Sequence, residues 1–147
     1  MDVDPRLAEI KDCLYRVAVK AIITNGDKIL LVLDGDDVDY SFPGGGVDYG
    51  EDLKTAVIRE LNEEIGMSEN LISSDFKIVG ANIGHVRGDI PRTNLFFKVD
   101  IDISKVTKTS EISGFKWFTY EELVNLPLDP STGDTSEIFK TIQSYLS

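Results

Sequence analysis

Cysteine occurs once in this chain of 147 residues, at Cys13, so no internal disulfide is possible and a reducing compartment is expected. Long apolar runs are missing too: none approaches the roughly 18 residues that a membrane-spanning helix needs. The opening segment, MDVDPRLAEIK, is acidic and lacks an apolar stretch. It leads to the expectation of no signal peptide, no membrane partner and a cytoplasmic protein. Basic residues are in short supply. The chain carries 15 Lys and Arg against 26 Asp and Glu, for a formal net charge of -11 and a pI near 4.4. Such a surface argues against sequence-independent nucleic-acid binding, which needs a basic face. It leaves room for a small anionic substrate where a bound cation inverts the local field. There is no internal repeat, low-complexity tract or interdomain linker, so residues 1–147 are read as one domain.

The elements alternate between strands and helices. Asp4-Pro5 predicts a short helix over residues 5 to 11, capped by Asp4. Cys13 to Thr24 is rich in β-branched residues and reads as a strand. Asn25-Gly26 is a hairpin signal, and Lys28 to Leu33 is the returning strand, its unbroken apolar run predicting cover on both faces. The acidic stretch Asp34 to Asp39 (DGDDVD) invites a calcium reading. Val38 stands where the EF-hand pattern needs Asp or Asn, and the closing Glu is missing, so a solvated loop is the expectation. Strands are expected at Phe76 to Ile83, Asn94 to Ile103 and Gly114 to Thr119, with a loop from Gly84 to Arg92. A short helix from Tyr120 and an amphipathic helix over Ser136 to Leu146 close the chain. This order predicts an α/β (α+β) sandwich, with helices covering a central mixed β-sheet.

Between the second and third strands lies Gly45 to Met67, GGVDYGEDLKTAVIRELNEEIGM. Asp48 and Glu51 have the spacing of a capping box, and a helix is expected from about residue 51 to 65, ended by Gly66. On a wheel with about 100° per residue, Leu53, Ala56, Val57, Ile58, Leu61 and Ile65 share one apolar arc. Glu60 and Glu64 fall near its centre, and Glu63 at its edge beside Arg59. That placement breaks three rules. Charges belong on the face opposite the apolar stripe. An i,i+4 pair of like charges costs a few tenths of a kcal/mol. Anions are disfavoured at the C-terminal end of the helix dipole. Violations this concentrated mark a functional site. The simplest compensation is a hard divalent cation, which takes oxygen ligands.

The same stretch resembles the Nudix box. Gly45-x5-Glu51-x7-Arg59-Glu60-Leu61-x-Glu63-Glu64-x-Gly66-Met67 meets it at each defining position. Tyr40-Ser-Phe-Pro-Gly-Gly is similar to the family's entry to the box, and Glu111 to Leu123, EISGFKWFTYEEL, to its tail. The resemblance implies a three-layer α/β/α sandwich and hydrolysis of a nucleoside diphosphate linked to another moiety. Candidate substrates are nucleoside triphosphates, dinucleoside polyphosphates and nucleotide sugars. It also implies Mg²⁺ or Mn²⁺ on Glu60, Glu63 and Glu64, with Glu51 in or near that shell. Arg59 then orients Glu63 or Glu51 as an ion pair, and Gly45 lets the loop fold over the metal site. Many members of the family dimerise, so a homodimer is a candidate assembly. The alternative is a Nudix-fold nucleotide-binding or sensor domain without turnover.

A polyanionic substrate and an acidic site repel each other unless cations bridge them. Water must then attack one phosphorus in line, and Glu64 and Glu111 are the candidates for the base. His85, Arg87 and Arg92 lie where relatives often contact substrate, and a plain surface loop is the competing reading. Arg16 on the first strand is a candidate phosphate contact or an outward-facing strand residue. Phe42, like Tyr40, is a candidate for stacking on a base or a buried sheet aromatic. Trp117 and Phe118 are assigned to the core. One departure from relatives stands out: many place a basic residue just after the strand equivalent to Lys28–Leu33, and this chain has the acidic DGDD there.

Overall fold

The computed structural model describes residues 15–35, 38–85 and 90–147. The expected helix over residues 5 to 11, Cys13, Arg87 and the middle of the acidic loop lie outside them, as does the side chain of His85. The strands are β1 (Arg16–Ile22), β2 (Thr24–Asn25), β3 (Lys28–Asp34), β4 (Gly44–Gly46), β5 (Lys77–His85), β6 (Pro91–Lys98) and β7 (Ile112–Thr119). The helices are α1 (Leu53–Ile65), α2 (Tyr120–Val124) and α3 (Ser136–Tyr145).

Four strands form a mixed sheet in the order β4-β1-β6-β5, with β1 and β6 parallel and the other pairs antiparallel. Strands β2, β3 and β7 form a second, antiparallel sheet. Alternation along β1 and β3 divides the core. Val19, Ala21, Leu30 and Val32 pack with Ala56, Val57, Leu61 and Ile65 of α1. Ile22, Ile29 and Leu31 pack on the other side with Phe42, Phe96, Leu123 of α2 and Ile138 and Ile142 of α3. The fold is therefore an α+β sandwich, its mixed sheet flanked by helices. Ile29 to Val32 are fully buried, as the apolar run predicted.

Helix α1 starts later than its sequence suggested. Asp52 is the N-cap, accepting from Thr55 N–H at 2.8 Å, and Gly66 ends the helix at φ 69 with its N–H on Asn62 O at 3.1 Å. Only half of the expected capping box forms: Glu51 Oε1 accepts from Asp48 N–H at 3.1 Å, but the chain turns at Gly50 before the helix begins.

The β5–β6 pair also corrects the expected bounds. Gly84 pairs with Arg92 and His85 with Pro91, so Arg92 is a strand residue and not part of a loop. The β6 ladder stops at Lys98, short of the expected Ile103, and Asp102 then caps a 3-10 turn over Ile103–Lys105. No helix among the described residues is long and apolar enough to cross a membrane.

Candidate active site

The last two turns of α1 point their carboxylates where the wheel put them. Glu64 is 5% exposed, the Glu60 side chain 13% and the Glu63 side chain 45%. Strand β4 runs beside them. Gly44 N–H donates to Glu64 Oε1 at 2.6 Å. A Cβ at Gly45 would sit 2.6 Å from Glu60 Oε1, so a side chain there would displace that carboxylate.

Arg59 ties the stretch together. Its Nε and Nη2 grip both oxygens of Glu51 at 2.7 and 2.8 Å. Nη2 also donates to Gly46 O at 2.8 Å, and Nη1 to Glu60 Oε1 at 2.9 Å and Glu63 Oε2 at 3.4 Å. The bidentate grip holds the Glu51 carboxyl down to about 2. The same partnership raises Arg59 above its ordinary range. Burial raises Glu60, and Arg59 partly offsets it. Glu64 is pushed up to about 9, first by burial and then by a hydrogen bond with Asp34.

Beside these groups opens a cavity of about 960 Å³, a size suited to a small ligand. Glu60, Glu63, Glu64, Asp34 and Glu111 line it, and so do the glycines of β4. Lys20 and Arg92 are the only cations in its lining among the described residues, and Asp129 to Ser131 close another side. Lys20 is buried, which lowers its pKa, while Glu64 partly restores it. Arg92 is lowered by burial and by Arg16, its in-register neighbour on β1. Arg92 Nε is buried with no hydrogen-bond partner. The Arg16 guanidinium lies over Gly46, 2.5 Å from where a Cβ would stand.

Thus Gly45, Glu60, Glu63, Glu64, Arg92 and Glu111 meet at the cavity, with Glu51 and Arg59 behind it and Arg16 beside Gly46. Phe42 is a correction. It is fully buried, edge-to-face on Phe96 at 5.4 Å, and presents no ring face to a base. Asp34 corrects the solvated-loop reading, since it ends β3 against Glu64. Lys20 and Asp129 were not among the sequence candidates, and Asp34 entered only through the calcium reading of the acidic loop. A lone lysine inside the apolar run RVAVKAII was a usable signal for the first. Nothing local marked Asp129, which the fold brings in from a distant turn.

The donor set suits a hard divalent ion: every candidate ligand is a carboxylate oxygen, and the glycines leave the carboxylates room. Among the described residues, no three of these groups already stand as a coordination shell. Glu60 is turned onto Arg59 and Glu64 onto Gly44.

The sandwich, the box helix and the carboxylate-lined cavity agree with the family resemblance of the Gly45–Met67 stretch. The NUDIX domain family matches residues 14–139, and the chain belongs to that family. Nudix hydrolase 25 of Arabidopsis thaliana is 28% identical, over 90% of this chain and 89% of its own. An RNA pyrophosphohydrolase of Orientia tsutsugamushi (strain Boryong) is 26% identical, over 83% of this chain and 86% of its own. The crystal structure of an ADP-ribose pyrophosphatase from Streptococcus suis 89-1591 superposes with a TM-score of 0.67 at 23% identity, over 90% of this chain and 92% of that one.

Proposed function

We propose that the protein hydrolyses a phosphoanhydride bond in a nucleoside diphosphate linked to another moiety, with Mg²⁺ or Mn²⁺ as cofactor. The observation that carries this reading is the cavity itself, where the box carboxylates, Asp34 and Glu111 face Lys20 and Arg92. Two relatives add support, since both names, RNA pyrophosphohydrolase and ADP-ribose pyrophosphatase, denote hydrolysis at a pyrophosphate.

Glu60, Glu63 and Glu64 would hold the ion, with Asp34 and Glu111 in reach of the same space. The ion would screen substrate from carboxylates and polarise the attacked phosphorus as a Lewis acid. Arg59 fixes Glu51 and the Gly46 carbonyl against α1, so the loop from β4 to the helix is positioned before substrate arrives. The Gly44 N–H does the same for Glu64. Arg92, with Arg16 beside it, faces the anionic part of the substrate. Glu64 or Glu111 accepts the proton of the attacking water. A protonated Glu64 cannot serve as base. Positive charge beside it would draw the carboxyl to its ionised form.

The test is a panel of nucleoside triphosphates, dinucleoside polyphosphates, nucleotide sugars and a 5′-triphosphorylated RNA oligonucleotide, each with Mg²⁺ and with chelator. Metal-dependent release of a phosphate ester is expected on at least one, and Glu64→Gln should lower its turnover about 100-fold or more. Full turnover by Glu64→Gln refutes the mechanism. A wild type inert on the whole panel leaves the non-catalytic binding domain as the better reading.

A further inference from the structure

Lys20 is the one charged residue in the buried part of β1. Its neighbours Ala18, Val19, Ala21 and Ile22 are at most 1% exposed, and Lys20 is 3% exposed. An ammonium group there carries a heavy desolvation cost, so it must meet negative charge. Its in-register partner on β4 is Gly44, whose N–H holds Glu64. The charges facing it are Glu64 from α1, Asp34 from β3, Asp129 from the turn before α3 and Arg92 from β6. Lys20 therefore lies between the carboxylate side of the cavity and the side closed by Asp129 to Ser131. Pairing with Glu64 alone would not require it to open onto a cavity of about 960 Å³, yet it does.

We propose that Lys20 is a substrate-binding residue whose ammonium group contacts the phosphate that departs when the phosphoanhydride is split. The proposal rests on the hydrolytic reading above. A substrate with its attacked phosphorus at the box carboxylates, and its other moiety extending toward Asp129, carries its second phosphate over Lys20. In the reaction a water oxygen bonds to the attacked phosphorus, and the bond from that phosphorus to the bridging oxygen breaks. The bridging oxygen leaves with the electron pair on the departing phosphate, and the water protons pass to the base and then to solvent. Lys20 keeps its own proton and meets the charge that grows on the departing group.

Three variants, Lys20→Met, Lys20→Gln and Lys20→Arg, are compared with wild type in thermal melts, in kinetics on the best panel substrate, and in calorimetric binding of inorganic pyrophosphate with Mg²⁺. Removing the charge is expected to weaken pyrophosphate binding about 10- to 100-fold and to lower kcat more than it changes KM. Lys20→Arg should recover part of both. In wild type, the ¹⁵N resonance of Lys20 Nζ, identified by its loss in Lys20→Arg, should shift when pyrophosphate is added. Unchanged pyrophosphate affinity and kcat in a folded Lys20→Met overturns the proposal. So does an Nζ resonance that stays in place at saturating pyrophosphate, which decides the matter if the neutral variants fail to fold. If wild type turns over nothing on the panel, the hydrolytic reading fails by itself, and the affinity and Nζ measurements still decide the Lys20 contact.

Discussion

Two adjacent glycines of β4 should respond to the same substitution in opposite ways. Gly44 has φ 143, a conformation that L side chains rarely adopt, and a Cβ there would overlap the Val19 carbonyl oxygen. Backbone strain of that kind costs about 1–3 kcal/mol, and forcing an atom against a fixed neighbour adds a similar amount, about 1–3 kcal/mol. Strand β1 cannot retreat, because it pairs with β4 on one side and β6 on the other. Gly44→Ala should therefore destabilise the protein by about 2–6 kcal/mol, or roughly 6–18 °C in melting temperature for a chain of this size. Gly45 has no such strain. Its added Cβ would meet only the Glu60 carboxylate, the far end of a flexible side chain.

Gly45→Ala should accordingly fold almost as wild type does. The entropy it removes from the unfolded chain offsets the disturbed Glu60–Arg59 contact, leaving a net change within about 1 kcal/mol. Its cost falls on the site. Glu60 must move by an ångström or more, and misplacement on that scale lowers kcat/KM up to about 100-fold. The assays are melts in chelator and kinetics on the best panel substrate. A Gly44→Ala variant that melts with wild type would refute the close approach of β4 to β1. A Gly45→Ala variant with full activity would remove Glu60 from the machinery.

Two further outcomes follow from Glu64 and Arg59. Unfolded, Glu64 loses its proton near 4.5, whereas in the fold it holds it to about 9; between those values the native state binds more protons. The stability of chelator-treated protein should thus fall as pH rises from about 5 to 9, and Glu64→Gln should flatten that slope, a variant with the wild-type slope contradicting it. Arg59→Lys keeps the charge but loses the two-pronged grip on Glu51, so kcat/KM should drop about tenfold or more with little change in melting temperature; unaltered kinetics would end the positioning role of Arg59.

What the sequence revealed, and what it hid, divides by range of interaction. The stop of α1 at Gly66 and the inward aim of Glu60 and Glu64 follow from periodicity and capping, which are local. The burial of Ile29 to Val32 on both faces follows from the unbroken apolar run. The β1–β6 parallel pairing is not local, and it alone sets Arg16 beside Arg92. Arg92 looked like a loop residue because its strand begins at Pro91, and proline with the polar residues after it masks a strand start. Phe42 had two readings that no local pattern separates, since an aromatic before Pro-Gly-Gly suits either a ring platform or a core. Phe96 and α3 settle it toward the core.

The cavity also explains why a chain so short of cations sets two of them, buried Lys20 and half-buried Arg92, in one lining. Among the described residues, seven carboxylates line it against Lys20 and Arg92. A pyrophosphate entering that space unaccompanied would meet net negative charge in a partly buried setting, where Coulomb terms are several times stronger than in water. On the proposed function, the box side supplies positive charge only when it holds its metal, and there the carboxylates favour the cation over the substrate anion. Away from the box, fixed positive charge would serve the same end. Lys20 and Arg92 would supply it from β1 and β6, two neighbouring strands of the mixed sheet. The acidic loop after β3, where many relatives carry a basic residue, is then no loss of grip on phosphate. Its first residue, Asp34, belongs with the carboxylates through Glu64, and on the proposed function Lys20 of β1 and Arg92 of β6 would carry the cationic duty.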